Sequence, residues 1–213
     1  MVGFFDAEPP SPPPLIESNL SPDECFGVVN SAFVFSPVDG LSAVTDRGRV
    51  MPLYRYQTLI TPSAAAQKRF DSERDVAAFL TALEAIVLEQ IKTPGSRLER
   101  AGAINPNCNC HGFVFTNGQI GVHDQDVVAI LDEHRYEAVA NPAHGDLAVY
   151  RFEDTITHTG IVQRFAPGRE ILVRSKWGPF GVFWHHPAAH GGELTYYHTP
   201  RWGHALTVLP AAA

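Results

Sequence analysis

The sequence predicts an α+β fold in which helices come ahead of a run of antiparallel strands. Two observations carry that reading. Residues 71–92 place Val76, Phe79, Leu80, Leu83, Ile86, Val87 and Ile91 at helical spacing. Ser72 is available as an N-cap, acidic residues follow, and Thr93-Pro94-Gly95 is a stop. From residue 145 onward the chain instead alternates short β-type runs with turn signals rich in Gly, Pro and Asp.

Taken in order, residues 1–20 form an extended lead-in, because Pro9, Pro10, Pro12, Pro13 and Pro14 cannot propagate a helix or a central strand. Residues 21–95 read as an N-terminal extension. It has β-type runs at 27–35 and 50–56, turn signals at 37–40 and 46–48, and then the long helix. Residues 96–213 form the domain that carries the chemistry. A turn-rich stretch at 102–112 leads into the apolar Phe113-Val114-Phe115. A second helix at 124–134 buries Val127, Val128, Ile130 and Leu131. Strands follow at 147–152, at 158–164 paired with 170–175 across Ala166-Pro167-Gly168-Arg169, and around 181–184 and 195–198.

The 213 residues, 45% hydrophobic and 18% charged, suffice for one sizeable core. A net charge of -7 with no basic run argues against a nucleic-acid surface. No run approaches the roughly 20 apolar residues of a membrane span, and the N-terminus lacks the basic start of a secretory signal. The expectation is a cytoplasmic protein, with export by another route left open. Cysteines stand at 25, 108 and 110, the last two separated by one residue, so free thiols are expected rather than a disulfide framework.

All ten histidines lie from position 111 onward. Two motifs in that half carry chemistry. In Asn109-Cys110-His111-Gly112 the Pro and Asn residues just ahead can turn and cap a helix, placing Cys110 in its first turn. There the free N–H groups favour a thiolate and could stabilise an oxyanion, and Gly112 leaves room for a substrate. Gly145-Asp146 opens the second motif, which continues to His158-Thr159-Gly160-Ile161. A histidine at a strand start, beside a small residue that keeps a cleft open, is placed to act as general base.

In this order the motifs resemble the NlpC-type cell-wall peptidases and their papain-like relatives, which carry Cys-Ser-Gly on a helix, a Gly-Asp pair and a His-Val-Gly-Ile strand. Ser175-Lys176-Trp177-Gly178 and the stretch from Tyr196-Tyr197 to Gly203-His204 resemble a closer, uncharacterised bacterial branch. The resemblance covers roughly residues 100–205. It implies a papain-like α+β domain, its nucleophile at a helix N-terminus packed on an antiparallel sheet. Cys110 would be the nucleophile, His158 the general base, and the bond cleaved an amide, commonly in peptidoglycan peptides. It implies no cofactor and no metal, and a small peptide or amide as partner; oligomeric state has no signature here. The family's third residue comes from the strand after the histidine strand, and counting outward from Pro167-Gly168 lands near Ser175. Ser175 brings no charge to the pair, and Asn109 stands where the family has Asp.

Three alternatives stay open at this level. Cys108 could be the nucleophile, or Cys108, Cys110 and His111 could bind zinc with His158, His185 or His186. The fold could also persist as an inactive binding module. His185, His186 and His190 are expected in a solvated loop, and Trp177, Phe180, Phe183 and Trp184 in the core or a cleft wall.

Overall fold

A computed structural model describes residues 33–58, 73–91, 98–164 and 171–210. The Pro-rich lead-in, Cys25, the first part of the 27–35 run and the turn at 166–169 lie outside the described residues. The elements are β1 (Phe33–Val44), β2 (Val50–Thr58), α1 (Glu73–Ile91), β3 (Leu98–Gly102), α2 (Cys110–Phe115), α3 (Asp124–Glu133), β4 (Glu137–Val139), β5 (Leu147–Phe152), β6 (Thr155–Arg164), β7 (Ile171–Lys176), β8 (Val182–His185), β9 (Glu193–His198) and β10 (Thr207–Leu209). The fold is α+β. Seven strands form one antiparallel sheet in the order β3-β8-β7-β6-β5-β9-β4, and β10-β1-β2 form a second. No helix among the described residues is long and apolar enough to cross a membrane.

Residues ahead of position 96 are built into the same core as those after it. Ala43, Met51 and Leu53 of the small sheet pack with Val114 and Phe115 of α2, Val127 and Ile130 of α3, and Leu147 and Val149 of β5. Tyr54 pairs with Gly121 in an isolated bridge, and β10 returns to pair with β1. The expected boundary at 95/96 therefore separates sequence regions, not cores. A second cluster sets Phe79, Leu80, Leu83 and Val87 of α1 against Phe33, Trp177, Phe180 and Phe183. Burial of each such side chain contributes about 1.5–3 kcal/mol. Within this cluster the buried Glu84 is paired with Arg100 and accepts from the Gly181 N–H at 2.6 Å, so a carboxylate is tolerated beneath the helix.

Three local expectations change. The turn signal at 37–40 does not reverse the chain: β1 runs through it with a register shift between Pro37 and Ser42, and Gly40 supplies the positive φ of 73°. β6 starts at Thr155 because Glu153, at φ 53°, closes a tight hairpin that pairs Phe152 with Thr155. His158 is thus inside the strand, not at its start. The strands β3, β4 and β10, with sequences LERAG, EAV and TVL, are too short to show a period of two.

Candidate functional site

Asn109 builds the turn that presents Cys110. Its backbone is extended, and its Oδ1 accepts from the Gly112 N–H at 2.9 Å and from the Val122 N–H at 3.2 Å. Its Nδ2 donates to the Val122 carbonyl at 2.8 Å. One side chain thereby caps α2 and ties it to the loop before α3. A β-carbon on Gly112 would lie 2.1 Å from the Ile120 carbonyl oxygen, and one on Gly160 would lie 2.4 Å from Val173 Cγ1. Both glycines let backbone pack against its neighbour; neither opens space for a substrate, contrary to the expectation for them.

Cys110 is buried at the first turn of α2, where the backbone N–H groups of Thr159, His111 and Cys110 itself favour the thiolate. Burial nevertheless pushes the thiol up to about 11, and those N–H groups and the nearby Lys176 offset the rise only in part. The thiolate expected from a helix terminus is not the resting form: α2 is six residues long, and desolvation outweighs its N–H groups. Cys108 is also buried, with Asn105 Nδ2 at 3.8 Å from its sulfur and its thiol pushed up to about 11 by burial. Lys176, 1% exposed, donates from Nζ to the carbonyls of Gly178 at 2.7 Å and Phe180 at 2.5 Å. Burial lowers it to about 8 against the opposing pull of both thiols. A cation beneath the two cysteines was not legible in the sequence.

His158 is buried on β6, with Tyr150 directly across on β5. Side chains alternate along the strand. Thr159 and Ile161 face the helices, where the Thr159 hydroxyl meets His111 Nδ1 at 3.0 Å. His158, Gly160 and Val162 face the other way, with Tyr150 and Val173. Pairing of β6 with β7 covers only Ile161 to Arg164, so beside Thr159 the strand is open on that side, and there the Thr159 N–H favours the Cys110 thiolate. Thiol and imidazole line one cavity of about 630 Å³, also walled by Phe35, Tyr56, Trp177 and His190. They approach it from different sides of the strand. Burial, then His190, His185 and His111, holds His158 well below the usual imidazole range, and its Nε2 is buried with no hydrogen-bond partner.

Ser175 does not serve His158. The register pairing Ile161 with Arg174 carries Ser175 opposite Gly160, while β8 brings in His185, whose Nε2 lies 2.8 Å from the Ser175 hydroxyl. His185 Nδ1 lies 2.9 Å from the His186 carbonyl and must donate to it, so Nε2 accepts from Ser175. Trp177 Nε1 donates to Ser175 at 3.2 Å, which completes a neutral chain. Burial lowers His185 to about 4. The solvated loop expected for these histidines is therefore corrected: His185 is fully buried and His190 stacks on His158.

Sequence reasoning missed other cavity residues. His123 caps α3 and pairs with Asp124, and both line the cavity with His111. Only the helix-start signal around Asp124 marked that position. For the zinc alternative, no group of three or more His, Cys, Asp or Glu among the described residues is arranged to hold a metal.

Comparison with models of known families, with curated proteins and with solved structures returns no match for this chain.

Proposed function

We propose that the protein is a cysteine hydrolase of papain-like, NlpC-type architecture that cleaves an amide or peptide bond, with peptidoglycan-type peptides as the substrate class. The supporting observation is that Cys110 and His158 line one cavity, where the backbone N–H of the residue that follows His158 favours the Cys110 thiolate. In this reading the sulfur attacks the amide carbonyl and forms the carbon–sulfur bond while its proton passes to His158 through one water in the cavity that both groups line. The imidazolium returns that proton to the departing amine, and water then releases the acid and restores the thiol. Because both groups rest neutral, the proton moves as the carbonyl is engaged, not beforehand.

The test is intact-protein mass spectrometry after incubation with an activated peptide ester. The expected result is an acyl adduct on Cys110 that decays on standing, is absent in Cys110→Ala, and forms at least about 100-fold more slowly in His158→Ala. Absence of any adduct on Cys110, or unchanged formation in His158→Ala, overturns the reading.

A binding module without catalysis is favoured by one observation. His158 Nε2 has no orienting partner, and Ser175 is committed to His185. That reading predicts peptide binding in the cavity with no adduct.

A further inference from the structure

The rings of His158 and His190 lie face to face, with centroids 4.1 Å apart and planes 14° from parallel. His190 reaches this position from a loop tied to β5 at both ends. Upstream, in the 3₁₀ turn Pro187–Ala189, the Pro187 carbonyl accepts from the Tyr150 hydroxyl at 3.0 Å. Downstream, Gly192 takes φ 96°, and a β-carbon there would lie 2.3 Å from the Arg151 carbonyl oxygen. Only glycine fits this junction, and Glu193 pairs with Arg151 immediately afterwards. Tyr150 also stands across from His158 with its ring at 5.5 Å and 61°. One strand, β5, therefore sets both the His158 ring and the ring that covers it.

His190 Nδ1 lies 3.1 Å from the Gly191 carbonyl and donates to it, and burial holds the His190 ring below the usual imidazole range, which favours a neutral ring in the stack. An imidazole base needs its plane fixed, commonly by a hydrogen bond to its far nitrogen. His158 Nε2 has none. What fixes the plane is the face of His190 and the edge of Tyr150.

We propose that His190 is the positioning residue of this site, holding the His158 ring in plane and covering it from water by stacking, in place of a hydrogen-bonding third residue. Its catalytic meaning rests on the hydrolase reading; the stack itself does not. The titratable groups around His158 are Tyr150 from β5, His185 from β8, His111 and Cys110 from α2, and His190 from its loop. Removing His190 exposes one face of His158 to water and deletes one neighbouring imidazole. Both changes favour protonation of His158.

The test is an NMR titration of the His158 ring in the wild type, His190→Ala and His190→Phe, with activity against pH as a second readout. In wild type, ring–ring contacts between His158 and His190 are expected, and His158 titrates well below the usual imidazole range. In His190→Ala its midpoint rises by about one pH unit or more, and the acid limb of the activity profile moves up with it. In His190→Phe, which keeps a flat ring over His158 and removes only the imidazole, both rise less than in His190→Ala. An unchanged midpoint in His190→Ala, or a Phe variant that behaves like the Ala variant, overturns the proposal. Absence of the wild-type ring contacts overturns it without reference to any variant. If the titrations behave as expected while Cys110 forms no acyl adduct, the hydrolase reading fails and the stack stands.

Discussion

The Thr159 hydroxyl meets the ring of His111 at 3.0 Å, and the backbone N–H of the same Thr159 favours the thiolate of Cys110, the neighbour of His111. Two consecutive residues of α2 are thus docked on one residue of β6. The contact fixes the height of the thiol against the strand and leaves His158 on the strand's other side. Reactivity at this thiol is governed more by burial than by charge.

The first prediction concerns that burial. With the thiol pushed up to about 11, alkylation of Cys110 by iodoacetamide in the free protein is slow near neutral pH. Its rate rises about tenfold per pH unit until the thiol ionises. Lys176→Met removes a cation that favours the thiolate and slows labelling further below about pH 8, where Lys176 is charged. Peptide mapping of the labelled cysteines measures this; fast labelling of Cys110 at neutral pH would contradict it.

Ser175→Ala separates a structural from a catalytic serine. The substitution leaves His185 Nε2 and Trp177 Nε1 without their partner, at a cost of about 1–3 kcal/mol. Urea titration should show that loss, while the His158 NMR midpoint stays where it is in wild type. A shifted His158 midpoint would place Ser175 back beside the base.

Stability should fall in acid. His111 and His185 are each lowered to about 4 from 6.5, so the unfolded chain binds more protons than the folded one between those values. Their contribution is complete above about pH 6.5 and is lost as the pH falls toward 4, by about 3 kcal/mol for each. Urea midpoints at pH 7, 6, 5 and 4 test the sign; a midpoint constant over this range would contradict the burial of both rings.

Asn109→Ala removes the cap of α2 and both bonds to Val122. The expected loss is about 2 kcal/mol, at the upper end for a helix cap, because the Val122 backbone groups also lose their partner. Asn109→Asp retains the acceptor but not the amide donor, so it should recover part of the loss. Thermal melts of the three proteins order them.

What was legible in the sequence follows from periodicity. α1, α3 and the β5 to β8 strands carry apolar residues at regular spacing, and their positions agree with the structure to within a few residues. The reach of Asn109 as a cap was visible too, since Asn before a short apolar run is a local signal. Partners set by tertiary register were not visible. Ser175 lies opposite Gly160 and bonds His185 because of how β7 and β8 align, and no count outward from a turn contains β8. His190 looked like part of a polar loop because nothing within six residues of it records that Tyr150 holds that loop against β5. Gly112 and Gly160 signalled open space, whereas their neighbours in the fold are backbone and β7 side chains.

Trp177 forms part of the cavity wall and is 6% exposed, whereas Trp202 stands wholly in solvent. The molecule therefore carries its own optical reporters. A ligand that enters the cavity will displace water beside Trp177 and shift its emission, while Trp202 continues to emit as a fully quenchable reference and Trp184, the third indole, lies outside the cavity lining. Occupancy can then be followed by fluorescence without a chromogenic substrate or any covalent chemistry, for any small amide offered to the protein.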